Sequence, residues 1–305
     1  MSSTTAIWCW AAGGYNNLIA YLAARFILFT LSVGPVSFSL RVARFYAALL
    51  DCALPRLRRV AIRNLELAGF SAGQRKIIAD GVFRSIARLL VAFARLPGMN
   101  RDNIGDWIRY EGLQYFQQAK EQGRGVLFAT AHLGNWELSA FAHGLLTEPM
   151  NIVVRPLDNR RIDDFVEKRR QLSGNAIISK REAARAILRA LQKNEAVGIL
   201  IDQNTSAAEG VFVNFFGTAA CANSGFVKIA ARSGAAVIPG FALWDGGERR
   251  YVLRFYPPVP MSGDVLEDTQ RLHAVLESVI RQYPDQWLWI HRRWKMRPEG
   301  ETPLY

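Results

Sequence analysis
The stretch that most limits what this chain can become is Ala129-Thr130-Ala131-His132-Leu133-Gly134-Asn135-Trp136-Glu137. It follows the apolar run Gly125 to Phe128, which reads as a buried strand, and leads into Leu138 to Leu146, which can wind as a helix. A histidine and a glutamate therefore sit where a strand hands over to a helix, the place where α/β proteins usually carry chemistry. Inside one helix, five residues of separation would set the two about 140° apart and facing away from each other. With His132 on the loop and Glu137 in the first turn, the backward lean of helical side chains points Glu137 toward the imidazole. The pair then reads as a general base oriented by a carboxylate, with Gly134 allowing close backbone approach and Asn135 available as a helix cap. A buried histidine satisfied by a local carboxylate fits the spacing equally well.

Half of the 305 residues are apolar, enough for one large core with an appended segment. The net charge of +12 asks for an acidic partner, whether phospholipid, nucleic acid, phosphorylated substrate or an acidic carrier protein. Cys9, Cys52 and Cys221 are odd in number and scattered, which fits reduced thiols in a cytosolic setting.

From Met1 to Ser39 the only charge is Arg25. The uncharged run Phe26 to Leu40 covers roughly 22 Å as helix, short of a bilayer core, and Gly34-Pro35 interrupts it. Residues 1–50 are therefore expected to form a membrane-associating helical segment lying in one leaflet, with a single span as the second choice and an amphipathic helix packed on the domain as the plain alternative. The start lacks the basic residues of a cleaved signal. Arg41, Arg44, Arg56, Arg58, Arg59 and Arg63 follow, interleaved with apolar residues, as in a helix pair resting on anionic lipid.

Residues 51–305 read as the main domain. Ser71 and Gln74 mark a capping box, and apolar residues from Ile77 to Phe93 repeat at helical spacing. A linker over 98–106 and a helix from Gly112 to Gln122 precede the motif strand. Strands over 152–154, 176–178, 197–201, 237–243 and 251–256 then alternate with helices over 160–172, 182–192 and 223–233, and a last helix runs over 265–283. This alternation predicts an α/β fold, a central sheet flanked by helices.

Four further features stand out. Arg155 closes a strand, as an anion fork would. Asp202-Gln203-Asn204-Thr205 closes the strand over 197–201 and can share a cleft with His132, although capped turns use the same residues. Phe212, Phe215, Phe216 and Gly217 read as a loop presenting aromatic groups, and Trp287 to Lys295 mixes indoles with bases as membrane interfaces and nucleic-acid surfaces do. There is no G-x-S-x-G, H-E-x-x-H, G-x-x-x-x-G-K-[ST] or complete G-x-G-x-x-G. His143, His273 and His291 show no metal-ligand spacing, and Cys221 reads as a packing residue.

His132-Leu133-Gly134-Asn135-Trp136-Glu137 resembles the H-x4-D/E motif of the glycerolipid acyltransferases, in the form typical of the bacterial lipid A biosynthesis (lauroyl and myristoyl) acyltransferases. Arg63-Asn64-Leu65, Arg155-Pro156-Leu157-Asp158-Asn159, Asp202-Gln203, Phe215-Phe216-Gly217, Gly234 to Pro239 and Pro284 to Lys295 agree, so the resemblance spans roughly residues 40 to 297. It implies a mostly parallel or mixed sheet and an O-acyltransferase without cofactor or metal. Its implied donor is the thioester of an acyl carrier protein or coenzyme A, and its implied acceptor a lipid A precursor or related glycolipid. In that reading His132 and Glu137 are catalytic, while Arg155, Asp202, Gln203 and Asn135 bind substrate. The implied partners are anionic membrane lipid, acyl carrier protein and the glycolipid, with no nucleic acid, at the cytoplasmic face of the inner membrane. Two competing readings are a basic membrane- or nucleic-acid-binding protein with a structural His/Glu pair, and a thioesterase.

Overall fold
The computed structural model describes the backbone of residues 3–179 and 183–305, with side chains described for 17–179 and 183–305; Cys9 and the predicted helix start at Glu182 lie outside the described side chains. The first part of the chain is helical: α1 (Ser3–Ser32), α2 (Val36–Ala53), α3 (Pro55–Leu67) and α4 (Ala72–Arg95). The Gly34-Pro35 break ends α1 as expected, with Gly34 at φ +71°. Arg95 secures that corner, donating from Nε to the Leu31 carbonyl at 3.2 Å and from Nη2 to the Gly34 carbonyl at 2.6 Å. The capping box at Ser71 and Gln74 is present in both directions. Leu28, Leu31, Ala43 and Ala47 pack into the same core as sheet residues such as Phe128 and Leu253, so α1 and α2 lie on the main domain.

Among the described residues no helix is long and apolar enough to cross a membrane. The outer faces of α1 and α2 nevertheless expose Ile19, Leu22, Phe26, Phe29, Phe38, Phe45 and Leu49. Two of the six arginines read as lipid-facing are engaged by acidic side chains: Arg58, half-buried, pairs with Asp51 and Asp80, and Arg63 makes a surface pair with Glu66. Arg41, Arg44, Arg56 and Arg59 are exposed.

The rest of the chain is β1 (Ile108–Glu111), α5 (Leu113–Glu121), β2 (Val126–Thr130), α6 (Trp136–Leu146), β3 (Asn151–Val154), α7 (Arg160–Arg170), β4 (Ala176–Ser179), α8 (Ala183–Gln192), β5 (Ala196–Leu200), β6 (Gly210–Phe215), β7 (Thr218–Asn223), α9 (Gly225–Ser233), β8 (Ala236–Asp245), β9 (Arg250–Phe255) and α10 (Val265–Gln282). Seven strands form one sheet in the order β1-β9-β8-β2-β5-β3-β4, and β6 and β7 form a separate hairpin. The sheet is parallel except at the β8–β9 pair, so β9 and its parallel neighbour β1 run against the rest. The predicted mostly parallel sheet flanked by helices is therefore present. β2 lies between β5 and β8 and is buried over Val126 to Ala129, which explains why its sequence is continuously apolar.

Two expectations are corrected. The aromatic loop at Phe212 to Gly217 is the β6–β7 hairpin, with Phe216 at φ +55° and Gly217 at φ +78° in its turn. Phe215 and Phe216 are buried against Trp287, Trp289 and Trp294. The aromatic and basic tail is likewise no open interface: those three tryptophans and Arg293 are buried, because the tail folds back under the motif loop. Asn64 anchors it, donating to the carbonyls of Trp289 and His291, each at 2.6 Å.

Candidate active site
The loop between β2 and α6 is held on both sides. Asn135 N donates to the Ala242 carbonyl of β8 at 2.9 Å, and Gly134 N to the Gln286 carbonyl at 2.9 Å. On the tail side, Leu288 N donates to the His132 carbonyl at 2.9 Å. Gly134 sits at φ +66°, and a Cβ there would lie 1.9 Å from the Ala242 carbonyl oxygen, so only glycine admits this approach. Asn135 caps α6 through its Oδ1, which accepts from Leu138 N at 3.0 Å.

His132 emerges from this clamp with its side chain 19% exposed, and its Nδ1 lies 2.9 Å from Oδ1 of Asp202, itself only 3% exposed. Asp202 is just beyond the carboxyl end of β5, paired to β2, so the two strand ends do share one cleft. Its Oδ2 also accepts from the backbone N of His132 at 3.0 Å and from Trp287 Nε1 at 2.8 Å. These bonds fix the carboxylate as an anion and the ring as the tautomer with hydrogen on Nδ1, leaving the Nε2 lone pair toward the cavity. Gln203 Nε2 stands 3.4 Å from that Nε2, and the Trp136 ring meets the imidazole edge to face at 4.9 Å.

Burial alone would disfavour the imidazolium, but the charge and hydrogen bond of Asp202, with the charge of Glu137, outweigh it and raise the His132 pKa above the ordinary histidine value. Burial would raise Asp202; its bonds to His132 and Trp287 prevail and hold it at about 2.

Glu137 takes a different place from the one its spacing suggests. Arg170 of α7 grips its carboxylate with two hydrogen bonds, Nε at 2.9 Å and Nη2 at 2.6 Å. The hydrogen bond that orients the imidazole thus comes from Asp202, and Glu137 acts on His132 through its charge. The α6 first turn does aim Glu137 at the cleft, but a guanidinium from α7, distant in sequence, binds it more strongly than a neutral ring would.

His132, Glu137, Arg170, Arg155 and Gln203 all line one cavity of about 610 Å³ that runs from the loop down between α6 and the sheet. Arg155 is exposed at its rim. Asn135 is not among the lining residues and is fully buried, so its side chain is committed to the helix cap. The inner part is apolar, formed by Phe128, Met150, Ile152, Leu253 and Phe255 around Gly198 and Gly240. A Cβ at Gly198 would meet Met150 Cε at 2.6 Å and one at Gly240 the Phe255 ring at 2.8 Å, so the two glycines let these lining side chains lie directly against the strands. Arg170, Trp287 and the two glycines escaped the sequence reading. For Trp287 the nearest signal is an indole whose N–H needs a buried acceptor, with no indication of which one.

An imidazole steered by a buried aspartate at the lip of an apolar cavity, on a mostly parallel sheet, is the equipment of an α/β enzyme acting on a lipid-like substrate. The chain belongs to the bacterial lipid A biosynthesis acyltransferase family, whose model matches residues 15–296. It is an O-acyltransferase. It is 32% identical over 259 residues to the lipid A biosynthesis palmitoleoyltransferase of Escherichia coli (strain K12), covering 83% of each chain. To the lipid A biosynthesis lauroyltransferase of the same strain it is 28% identical over 257 residues, again 83% of each. A phosphatidylinositol mannoside acyltransferase of Mycolicibacterium smegmatis is 27% identical over 69% of this chain and 70% of its own.

Proposed function
We propose that this acyltransferase moves a fatty acyl chain from a thioester, carried by acyl carrier protein or coenzyme A, to a hydroxyl of a lipid A precursor or related glycolipid at a membrane surface. The observation that carries the reading is the juxtaposition of the His132–Asp202 pair with the apolar cavity: the base opens on the space where a chain ending in a thioester would lie. The acceptor hydroxyl gives its proton to His132 Nε2 as its oxygen attacks the thioester carbonyl. Asp202 stabilises the imidazolium that forms. The C–O bond forms, the C–S bond breaks, and the leaving sulfur takes the proton back from His132. A thioester is already activated, so no acyl-enzyme is required.

Arg155, exposed at the rim, would hold a phosphate of the acceptor, and Gln203 would orient the hydroxyl beside Nε2. Glu137 keeps Arg170 fixed against the cavity and adds negative charge near the base. Membrane attachment draws support from the exposed apolar faces of α1 and α2 and from the exposed arginines beside them. These are also the features that would meet a strongly acidic carrier protein.

The test is transfer by the purified protein from a long-chain acyl thioester to a phosphorylated glycolipid bearing free hydroxyls, followed by mass spectrometry. We expect an acylated glycolipid, and a loss of at least about 10³-fold in His132→Ala with the fold retained. Release of free fatty acid alone, whatever acceptor is offered, would favour the thioesterase reading, and near-normal transfer by the variant would remove His132 from the chemistry.

A further inference from the structure
The tail beneath the motif loop carries a charge that this chemistry leaves unused. Arg293 is fully buried. Its Nη1 donates to the Cys221 carbonyl of β7 at 2.6 Å, whereas Nε and Nη2 have no hydrogen-bond partner among the described residues. No carboxylate therefore holds the guanidinium directly. Burial lowers its pKa only to about 10, so it stays a cation at neutral pH. Burying a charge without a direct partner is unfavourable, and an apolar side chain would fill the same space without that penalty.

Two lines of contact lead from Arg293 to Asp202. The guanidinium lies over the Phe215 ring at 5.3 Å, Phe215 meets Trp287 edge to face at 5.7 Å, and Trp287 Nε1 donates to Asp202. Along the backbone, Cys221 is followed by Ala222, which pairs with Asn204, two residues beyond Asp202. The other titratable groups around the guanidinium are uncharged at neutral pH. Burial holds His273 of α10 and His291 of the tail at about 4, and it pushes the Cys221 thiol and the Tyr305 phenol up. On the cavity side of His132, Glu137 of α6 and Arg170 of α7 neutralise each other. The charge left unbalanced is that of Asp202. It lacks a cation whenever His132 is neutral, which is the form that accepts a proton.

We propose that Arg293 is a positioning residue of the catalytic pair: from beneath the loop its charge balances Asp202 while His132 is neutral, so that the base stands ready without a proton already bound. This rests on the acyl-transfer reading above and adds a residue that lines no part of the cavity. The sign follows from Coulomb's law in a dry interior. The carboxylate favours the imidazolium and the guanidinium opposes it, so removing the guanidinium should leave His132 protonated to higher pH.

The experiment measures kcat and KM against pH for the full chain, with a long-chain acyl thioester and a phosphorylated glycolipid, in Arg293→Gln and Arg293→Lys. Glutamine keeps a donor for the Cys221 carbonyl and discards the charge; lysine keeps both. In Arg293→Gln the acid limb of kcat should move up by about half a pH unit or more, so that kcat below the limb falls at least about threefold, while KM for either substrate stays within about twofold. Arg293→Lys should return the limb toward its wild-type place. A limb unmoved in folded Arg293→Gln, or moved equally in both variants, overturns the proposal. Should Arg293→Gln fail to fold, Arg293→Met takes its place, and failure of both neutral variants would show a structural role and overturn the proposal as well. Absence of transfer by wild type at every pH would strike at the acyl-transfer reading instead. In that event titration of the His132 ring followed by NMR, without substrate, reads the same upward shift in the neutral variant, and an unshifted ring refutes the role of Arg293.

Discussion

Asp202 receives three hydrogen bonds in a site from which water is almost excluded, so its negative charge is the strongest local influence on His132. The base must be neutral to accept a proton. Because its pKa is raised, the rate of transfer is expected to climb with pH through that raised value. In Asp202→Asn the charge is gone and the imidazolium loses its stabiliser, so kcat should fall by about 10²–10⁴ and the acid limb of the profile should move to lower pH. A limb unmoved in the variant would mean that another group sets the base. Glu137 illustrates what spacing can mislead about: the sequence places it in the correct turn, while its partner, Arg170, lies 33 residues away on another helix.

At the level of elements, the loop joining β2 to α6 is a clamp whose three backbone bonds leave no room for error. Gly134→Ala would demand a left-handed backbone from alanine and drive its Cβ into the Ala242 carbonyl. We expect a loss of about 3 kcal/mol or more, seen as a lower midpoint in thermal or urea unfolding, with transfer falling in parallel as His132 is displaced. Unfolding and turnover at wild-type levels would show that the loop is not under this constraint. The motif helix and its cap were legible from sequence because capping and helix entry are local events involving Asn135 and Leu138. The hairpin was not: its turn places the non-glycine Phe216 at positive φ, which is tolerated only because Phe216 N bonds Glu277 of α10 at 2.6 Å and its ring packs among tryptophans.

Across the whole molecule two properties follow from how charges and apolar surface are distributed. Burial holds His143 at about 3 and His273 and His291 at about 4, all below the ordinary histidine value. Below about pH 6.5 the unfolded chain therefore binds more protons than the folded one, and stability should fall as pH drops from there toward 4. The expected loss is on the order of 1–2 kcal/mol per histidine by pH 5, read from urea midpoints across that range. His132 has the opposite sign: its pairing stabilises fully below the unfolded histidine value and is lost as pH rises through its raised pKa. A flat stability curve between pH 7 and 5 would contradict the first statement. The second property is the exposed apolar face of α1 and α2 beside Arg41 and Arg44. Substituting Phe26 and Phe29 together by serine should weaken co-sedimentation with vesicles containing anionic phospholipid by about tenfold or more, with little change in thermal stability, since both side chains already face solvent. Undiminished binding would place the membrane contact elsewhere.

What the sequence by itself determined is what neighbours along the chain decide: the alternation of strands and helices, the capped turn after β2, the break at Gly34-Pro35, and a histidine placed at a strand end. Only the tertiary structure decided who holds whom. Asp202 reaches His132 because β2 and β5 pair side by side, Arg170 takes Glu137 because α7 packs across α6, and Trp287 completes the aspartate's shell because the tail folds back beneath the loop. Hydrogen bonds and ion pairs select among every partner brought within reach, and reach is set by packing rather than by distance in sequence.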